Sequence, residues 1–324
     1  MVPVSICLTT WNRAKALPQT INSLLRQSFE DFELIISDDC SHDGTEQLCR
    51  EYERRDSRIR YFRNAINLNM PGNLNAAIRR ARGQYIANLH DGDIFRFDLI
   101  EKWKTALDDC GTAAFAFNDY RVVSHDGKER IYRAPFGPVI PGTEIALYYF
   151  RTVTSCVWGT VMARASAYQQ LGLFDERFGF IADVEMWLRL ASHFDIAYVS
   201  EPLITLGERP GDHPFRHGLW RSAFWAFAIY LKYLEVFRPK LPDACEHYQR
   251  LFSRTRRKYF IQTLLYSIRH RQWERFREGI AIWRDADDSI LRVFATLFAA
   301  FERPPQWYRP DCWQMACIPQ SGNS

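Results

Sequence analysis

Hydrophobic and polar positions change in blocks along residues 1–93. Residues 4–9 (VSICLT) form a β-rich apolar run that predicts a strand central to a sheet. Residues 14–27 then set Leu17, Ile21, Leu24 and Leu25 on one face at helical spacing. Residues 32–37 predict a second strand, a helix opens near Thr45, and residues 58–62 predict a short third strand. The Asn-rich stretch 64–72 reads as a loop and residues 74–82 as a helix, with Gly83 placed to end it at the C′ position. Tyr85, Ile86, Ala87 and Leu89 then read as a fourth, buried strand. Strand and helix thus alternate, the pattern of a mostly parallel sheet covered by helices.

Beyond that point the pattern loosens. Residues 98–107 predict a helix with Leu99, Ile100, Trp103 and Leu107 inward, and residues 113–123 a strand followed by a turn at Asp126-Gly127. Residues 131–143, rich in Pro and Gly, read as a loop too long for a simple connection. Residues 155–163 predict a strand, 172–179 a loop, 183–193 a helix with Val184, Trp187, Leu188 and Ala191 inward, and 196–206 a last strand. Farther on, Phe224, Phe227, Tyr230, Leu231, Leu234 and Phe237 recur at helical spacing, and helices are expected over 253–268, 271–283 and 289–301.

Three polar clusters, residues 9–13, 38–43 and 90–93, fall where the predicted strands end. In open α/β sheets ligands bind in the crevice beyond the carboxyl ends of the strands. The third cluster, His90-Asp91-Gly92-Asp93, places two carboxylates around a glycine that allows a sharp turn. Such a pair suits a hard divalent cation that also holds substrate phosphates. Alone, Asp91-Gly92-Asp93 reads as a solvated turn capping a strand. Three strand ends converging on one crevice favour a site.

Charge divides the chain. Residues 215–324 carry 18 Lys/Arg against 10 Asp/Glu and six of the ten Trp, a net +8, so with +4 overall the front carries −4. The basic, aromatic back third reads as a membrane-surface platform facing anionic lipid or as a helical bundle with a solvated basic face. No nucleic-acid motif accompanies the charge. The eight cysteines include no CxxC pair and no zinc-like spacing, which suggests free thiols in a reducing compartment. The N-terminus lacks the features of a signal peptide, and no apolar run approaches the roughly 20 residues needed to span a bilayer. A cytoplasmic protein, peripheral at the inner face of the membrane if the platform reading holds, is expected.

Four blocks carry a family resemblance. VSICLTTWNR resembles the VSVIIPTYNR opening of family 2 glycosyltransferases of the GT-A fold, and FELIISDDCSHDGT resembles FEIIVVDDGSTDGT. ARGQYIANLHDGDIF resembles ARGEYIAFLDDDDIW, and LGLFDERFGFIADVEMWLRLA resembles GGFDERFFYGEDVDLWLRLA. The resemblance covers about residues 3–215. It implies a GT-A domain over 1–215, with a nucleotide-sugar half at about 1–95 and an acceptor half at about 96–215, bordered by the 131–160 loops. Residues 216–324 form a helical extension outside it.

The resemblance implies an inverting, metal-dependent hexosyltransferase that moves a sugar from a nucleotide-diphosphate donor, UDP-linked in the usual case, to an acceptor hydroxyl on a glycan or lipid-linked carrier in bacterial surface polysaccharide assembly. Thr9, Trp11, Asn12, Arg13, Asp39 and Asp91 would bind the donor nucleotide, Trp11 stacking on the base and Asp39 accepting from a base N–H. Asp93 would hold Mn2+ or Mg2+, with Asp91 beside it. Asp183 would be the general base, the alternative being an N-cap of the helix it precedes. Arg209 and His213 would close over the diphosphate, His213 also within reach of the metal, or else lie on a surface loop. The chain departs from the family pattern at Trp11, His90, Gly92 and Ala182, where the family has Tyr, two acids and Glu. His90 and Gly92 are the best support for the rival reading, a binding protein on a degenerate scaffold, while Asp39, Asp93 and Asp183 together argue against it. A nucleotidyltransferase is disfavoured because LTTWNRAKAL has no glycine to cradle a triphosphate.

Overall fold

Every residue of strand β1, Val4–Thr10, is buried. In the computed structural model, which describes residues 2–123, 127–153, 155–157, 159–206, 215–269, 271, 273, 276 and 277, β1 lies between two parallel neighbours. These are β2 (Phe32–Asp38) and β4 (Tyr85–His90), and β3 (Ile59–Arg63) extends the sheet beyond β2. A strand covered on both faces reads as a continuous apolar run, which is why VSICLT shows no alternation. Helices α1 (Leu17–Leu25), α2 (Thr45–Arg55) and α3 (Asn69–Ile78) make the crossovers. Leu17, Ile21 and Leu24 of α1 are fully buried, and each such side chain contributes about 1.5–3 kcal/mol.

Past β4 the sheet becomes mixed. The remaining elements of the front unit are β5 (Ile94–Phe95), α4 (Leu99–Asp109), β6 (Ala113–Val123), β7 (Glu129–Tyr132), β8 (Val139–Ile140), α5 (Gly142–Thr152), β9 (Val161–Arg164), α6 (Ala165–Leu171), a 3-10 turn at Glu176–Ile181, α7 (Ala182–Ala191) and β10 (Asp195–Leu206). The sheet order is β3-β2-β1-β4-β9-β6-β10-β5, with β7 on β6 and β8 on β10. β9 runs antiparallel to both β4 and β6, while β10 is parallel to β6. The parallel arrangement expected for residues 1–93 is found there.

Several local expectations change. The helix expected at 74–82 is α3, which starts and ends earlier. Gly83 is not its C′ residue: its φ is not left-handed, and a Cβ there would lie 2.5 Å from the Ser5 amide nitrogen. Gly83 instead lets the chain pass directly against β1. Residues 131–143 are not one loop, since β7, β8 and the start of α5 occupy much of them. The strand expected at 155–163 shrinks to β9, because the Ser155 hydroxyl bonds both the amide (3.0 Å) and the carbonyl (2.5 Å) of Val157 and turns the chain. On α7, Val184 is only half-buried, whereas Glu185 is buried and pairs with Arg189 at 2.9 Å.

The chain divides into two compact units, Met1–His213 and Pro214–Ser324. In the second, α8 (Phe215–Phe237) and α9 (Pro242–Arg269) pack through Phe252, whose ring lies 6.0 Å from Phe227 and 5.5 Å from Tyr230. The helix expected at 253–268 is the second half of α9. Apart from four isolated positions, the helices expected at 271–283 and 289–301 lie outside the described residues. Among the described residues no helix is long and apolar enough to cross a membrane. Cys7, Cys40, Cys49, Cys110, Cys156 and Cys245 are free thiols. Burial pushes Cys49 and Cys156 up to about 12, which keeps them protonated and unreactive.

Candidate active site

The carboxyl ends of β1, β2 and β4 deliver the three polar clusters to one edge of the sheet. At the end of β1, Thr9 is buried and its Oγ1 lies 3.5 Å from His90 Nδ1 on the neighbouring strand. Trp11 follows with half its surface exposed. Asn12 takes a left-handed φ of 52°, a conformation Asn tolerates better than most residues. Its amide donates to Ser41 Oγ (2.8 Å) and its Oδ1 accepts from the His42 amide (2.8 Å). The amides of Arg13 and Ala14 donate to Thr45 Oγ1 and Asp43 Oδ2. The loop after β1 is therefore bound along its length to the loop after β2. Burial pushes the Asp43 carboxyl up, but hydrogen bonds from the Thr45 hydroxyl and from the Ala14 and Thr45 amides outweigh it and hold the group below its usual range.

The two adjacent acids at the end of β2 do different work. Asp38 is fully buried and accepts from the Ser41 amide (3.0 Å), the Ser41 hydroxyl (2.5 Å) and the Tyr61 hydroxyl (2.6 Å). Asp39 faces the 64–69 segment. Its Oδ1 accepts from Asn64 Nδ2 (3.0 Å) and the Leu68 amide (2.8 Å), and its Oδ2 from the Asn69 amide (2.8 Å). A carboxylate has about four acceptor positions, so Oδ2 keeps room for one more donor.

At the end of β4, Gly92 turns the chain with φ 82°. Thr20 of α1 fixes that turn: its hydroxyl accepts from the Gly92 amide (3.0 Å) and donates to the Asp93 carbonyl (2.9 Å). Asp93 is fully buried. Asp91 is more open, and its Oδ1 lies 3.8 Å from Arg13 Nε. Among the described residues no three His, Cys, Asp or Glu side chains gather into a metal cage. Asp91 and Asp93 offer hard carboxylate oxygens, and a magnesium-type site needs only one or two of these together with substrate phosphates. These residues fit such a cation.

Asp183 lies in the first turn of α7. It is not the N-cap, which is Ile181; its Oδ1 accepts from the Val184 amide at 2.8 Å. The helix N-terminus favours a carboxylate, but burial wins and pushes the Asp183 carboxyl up to about 6. Gly159 shows what faces it. A Cβ on that residue would sit 3.3 Å from His90 Nε2 and 3.6 Å from Asp183 Oδ2. The end of β4 and the Asp183 carboxylate therefore meet on either side of one glycine, itself left-handed at φ 78°. Arg209 and His213 lie outside the described residues.

Two features escaped the sequence reading. One is Thr20, for which an α-helical Thr gives no signal. The other is α3, which binds both halves of the site. Asn73 Oδ1 accepts from Ser37 Oγ (2.7 Å) and Asn64 Nδ2 (2.9 Å), and its Nδ2 donates to the Ser37 carbonyl (3.0 Å). Two positions on, Asn75 donates to the Phe174 carbonyl (2.8 Å) and Glu176 Oε1 (3.0 Å) and accepts from the Phe174 amide (3.1 Å). The available signal was five asparagines, at 64, 67, 69, 73 and 75, in a stretch of 12 residues.

Known proteins share this architecture. The fold superposes on S. aureus TarS residues 1–349 in complex with UDP with a TM-score of 0.60, at 15% identity, over 97% of this chain and 90% of that one. The mixed sheet flanked by helices is thus that of the TarS glycosyltransferase structures, as expected of a GT-A fold. In sequence, the putative teichuronic acid biosynthesis glycosyltransferase TuaG of Bacillus subtilis (strain 168) is 34% identical over 124 residues, 38% of this chain and 49% of that protein. The putative glycosyltransferase EpsE of the same organism is 31% identical over 196 residues, 57% of this chain and 66% of EpsE. The chain therefore spans about half the length of the first relative and just under two thirds of the second. The putative colanic acid biosynthesis glycosyl transferase WcaA of Escherichia coli (strain K12) is 27% identical over 286 residues, covering 86% of this chain and 97% of that protein. The family model described as Glycosyl transferase family 2 matches residues 5–172, which take in all three strand-end clusters and Gly159, and the chain belongs to that family.

Proposed function

We propose that this protein is an inverting glycosyltransferase that moves a sugar from a nucleotide-diphosphate donor, UDP-linked, to an acceptor hydroxyl in bacterial surface polysaccharide assembly. The observation that carries the reading is the Asp183 carboxylate, raised to about 6, across Gly159 from the strand end that bears Asp91 and Asp93. A carboxyl near 6 is ionised at neutral pH yet basic enough to take a proton in the transition state. The acceptor oxygen attacks the anomeric carbon, its proton passes to Asp183, and the bond from that carbon to the phosphate oxygen breaks on the opposite face. The configuration inverts and a nucleoside diphosphate leaves.

The other residues hold the donor. Trp11 stacks on the base, Asp39 Oδ2 accepts a base N–H, and Thr9, Asn12 and Arg13 line the nucleotide. Asp93, with Asp91 beside it, would hold Mn2+ or Mg2+, which would supply positive charge to the diphosphate. The TarS structures with UDP and UDP-GlcNAc support a uridine donor. The teichuronic and colanic acid relatives support a polysaccharide product, on a glycan or lipid-linked acceptor. Free thiols and a nucleotide-sugar donor fit a cytoplasmic location. A degenerate binding scaffold is not favoured, because a binder has no use for a carboxylate held near 6 and facing the end of β4 across Gly159.

The test is donor binding and transfer with manganese or with EDTA. Nucleoside-diphosphate affinity should fall with EDTA and in Asp93→Ala, whose circular dichroism should match the parent. Equal donor affinity in manganese and EDTA removes the metal from the reading. Absence of transfer from every nucleotide sugar to every carrier tried, with tight donor binding retained, favours the binder.

A further inference from the structure

Helix α9 buries one face and exposes another of unusual chemistry. Cys245, Phe252 and Ser267 are buried. On the opposite side Ile261, Leu265 and Ile268, spaced i, i+4, i+7, form one exposed stripe, with Leu265 the most open at 62%. Leu251 continues the stripe toward the N-terminus, and Trp273 is exposed just beyond the helix. Exposed Arg250, Arg254 and Arg269 share that side. From His247 to Trp273 the sequence holds seven Lys/Arg and no Asp or Glu.

We infer that this face of α9 docks on the surface of a bilayer containing anionic phospholipid. The inference is independent of the transfer chemistry. A solvated basic face would carry its arginines among polar residues, not among Ile, Leu and Trp. A symmetric contact with a second copy would bury the apolar stripe but set Arg254 and Arg269 against like charges. A nucleic acid would neutralise the arginines and leave Leu265 and Ile268 without a partner. A lipid surface satisfies both: the apolar side chains enter the acyl boundary and the guanidinium groups remain at the phosphates. Lacking acids, the stretch meets no repulsion from the anionic headgroups. The helix lies on the bilayer, since it is not apolar enough to span it.

The experiment is co-sedimentation of the full chain with phosphatidylglycerol–phosphatidylcholine vesicles and with phosphatidylcholine vesicles, at low and high salt. Binding to the anionic vesicles at low salt should exceed binding to the neutral ones by about tenfold or more and fall in high salt. Two variants act on different terms. Leu265→Glu with Ile268→Ser removes apolar contact, and Arg254→Gln with Arg269→Gln removes charge; each should lower binding about tenfold. Helical circular dichroism and nucleotide binding should be unchanged in both, and a variant that loses helicity is set aside in favour of the other. Equal binding to both vesicle types, undiminished binding by a folded variant, or a solution dimer abolished by Leu265→Glu would each overturn the inference.

Discussion

The two sides of the cleft are held by different forces. On the side proposed to bind the donor, the loops after β1, β2 and β4 are tied by directional bonds from side chains to backbone N–H and C=O groups: Asn12 to His42, Asp39 to Leu68 and Asn69, Thr20 to the Gly92 amide and the Asp93 carbonyl. On the side proposed to take the acceptor, the ground beneath Asp183 is a set of rings. Trp187 lies 4.8 Å from Phe115 and 5.7 Å from Phe174, and Phe174 lies 6.1 Å from Tyr168. Hydrogen bonds fix one geometry and are costly to leave unmade, whereas apolar packing tolerates exchange at constant volume.

The comparison breaks most sharply at Asp183. Asp183→Asn should lower transfer about 10²-fold or more while donor affinity is kept, because the lost function is on the acceptor side alone. The kcat profile of the parent should rise with pH through about 6, since only the ionised carboxylate accepts a proton. Stability should show the opposite sign. A carboxyl raised from its ordinary value stabilises the fold while protonated, and that contribution is lost as pH rises from about 4 through about 6. The Asn variant lacks this loss, so its melting temperature should gain on the parent over that window. A pH-independent difference would remove the perturbed carboxyl from the account.

Two variants of like size, smaller than the first, sharpen the comparison from either side. Trp11→Ala should cost about 1–3 kcal/mol of nucleotide affinity by calorimetry and leave the melting temperature unchanged, since the ring is half exposed. Asn75→Ala strips the Phe174 amide and carbonyl of their partner and should cost about 1–3 kcal/mol in chemical denaturation. Its effect on catalysis should appear in the transfer rate and not in donor affinity, because the amide holds the segment leading to Asp183. Loss of donor affinity in Asn75→Ala would erase the distinction between the two sides.

Much of the donor side was legible in the sequence. β1, β2 and β4 are short apolar runs, and the rule that ligands sit at strand ends places their polar sequels together. α3 begins ahead of the expected helix, with Asn69 (φ 57°) and Met70 (φ −83°, ψ 137°) outside helical geometry and Pro71 in the first regular turn, where proline is tolerated. Tertiary bonds hold that turn: the side-chain amides of Asn73 and Asn75 are buried and hydrogen-bonded through both oxygen and nitrogen, and Gly72 admits Leu68, whose Cβ would lie 3.1 Å from an added methyl. The start of α5 was hidden by Pro141 and Gly142. The resemblance singled out Asp183, but its surroundings come from His90 and Gly159, residues far apart in the chain that only the folded sheet brings together.

β9 joins the two halves of the sheet with four residues, pairing with β4 on one side and β6 on the other. Both neighbours precede it in the chain, so a nascent polypeptide emerges with β4 and β6 complete and the strand between them still missing. For that interval each presents an unpaired edge, the kind of template on which chains join one another. Closing the gap is a long-range pairing, slow by its loop-closure cost. Folding of the front unit is thus completed late, and fragments ending before Val161 should be prone to aggregate even though the nucleotide-side strands are all present.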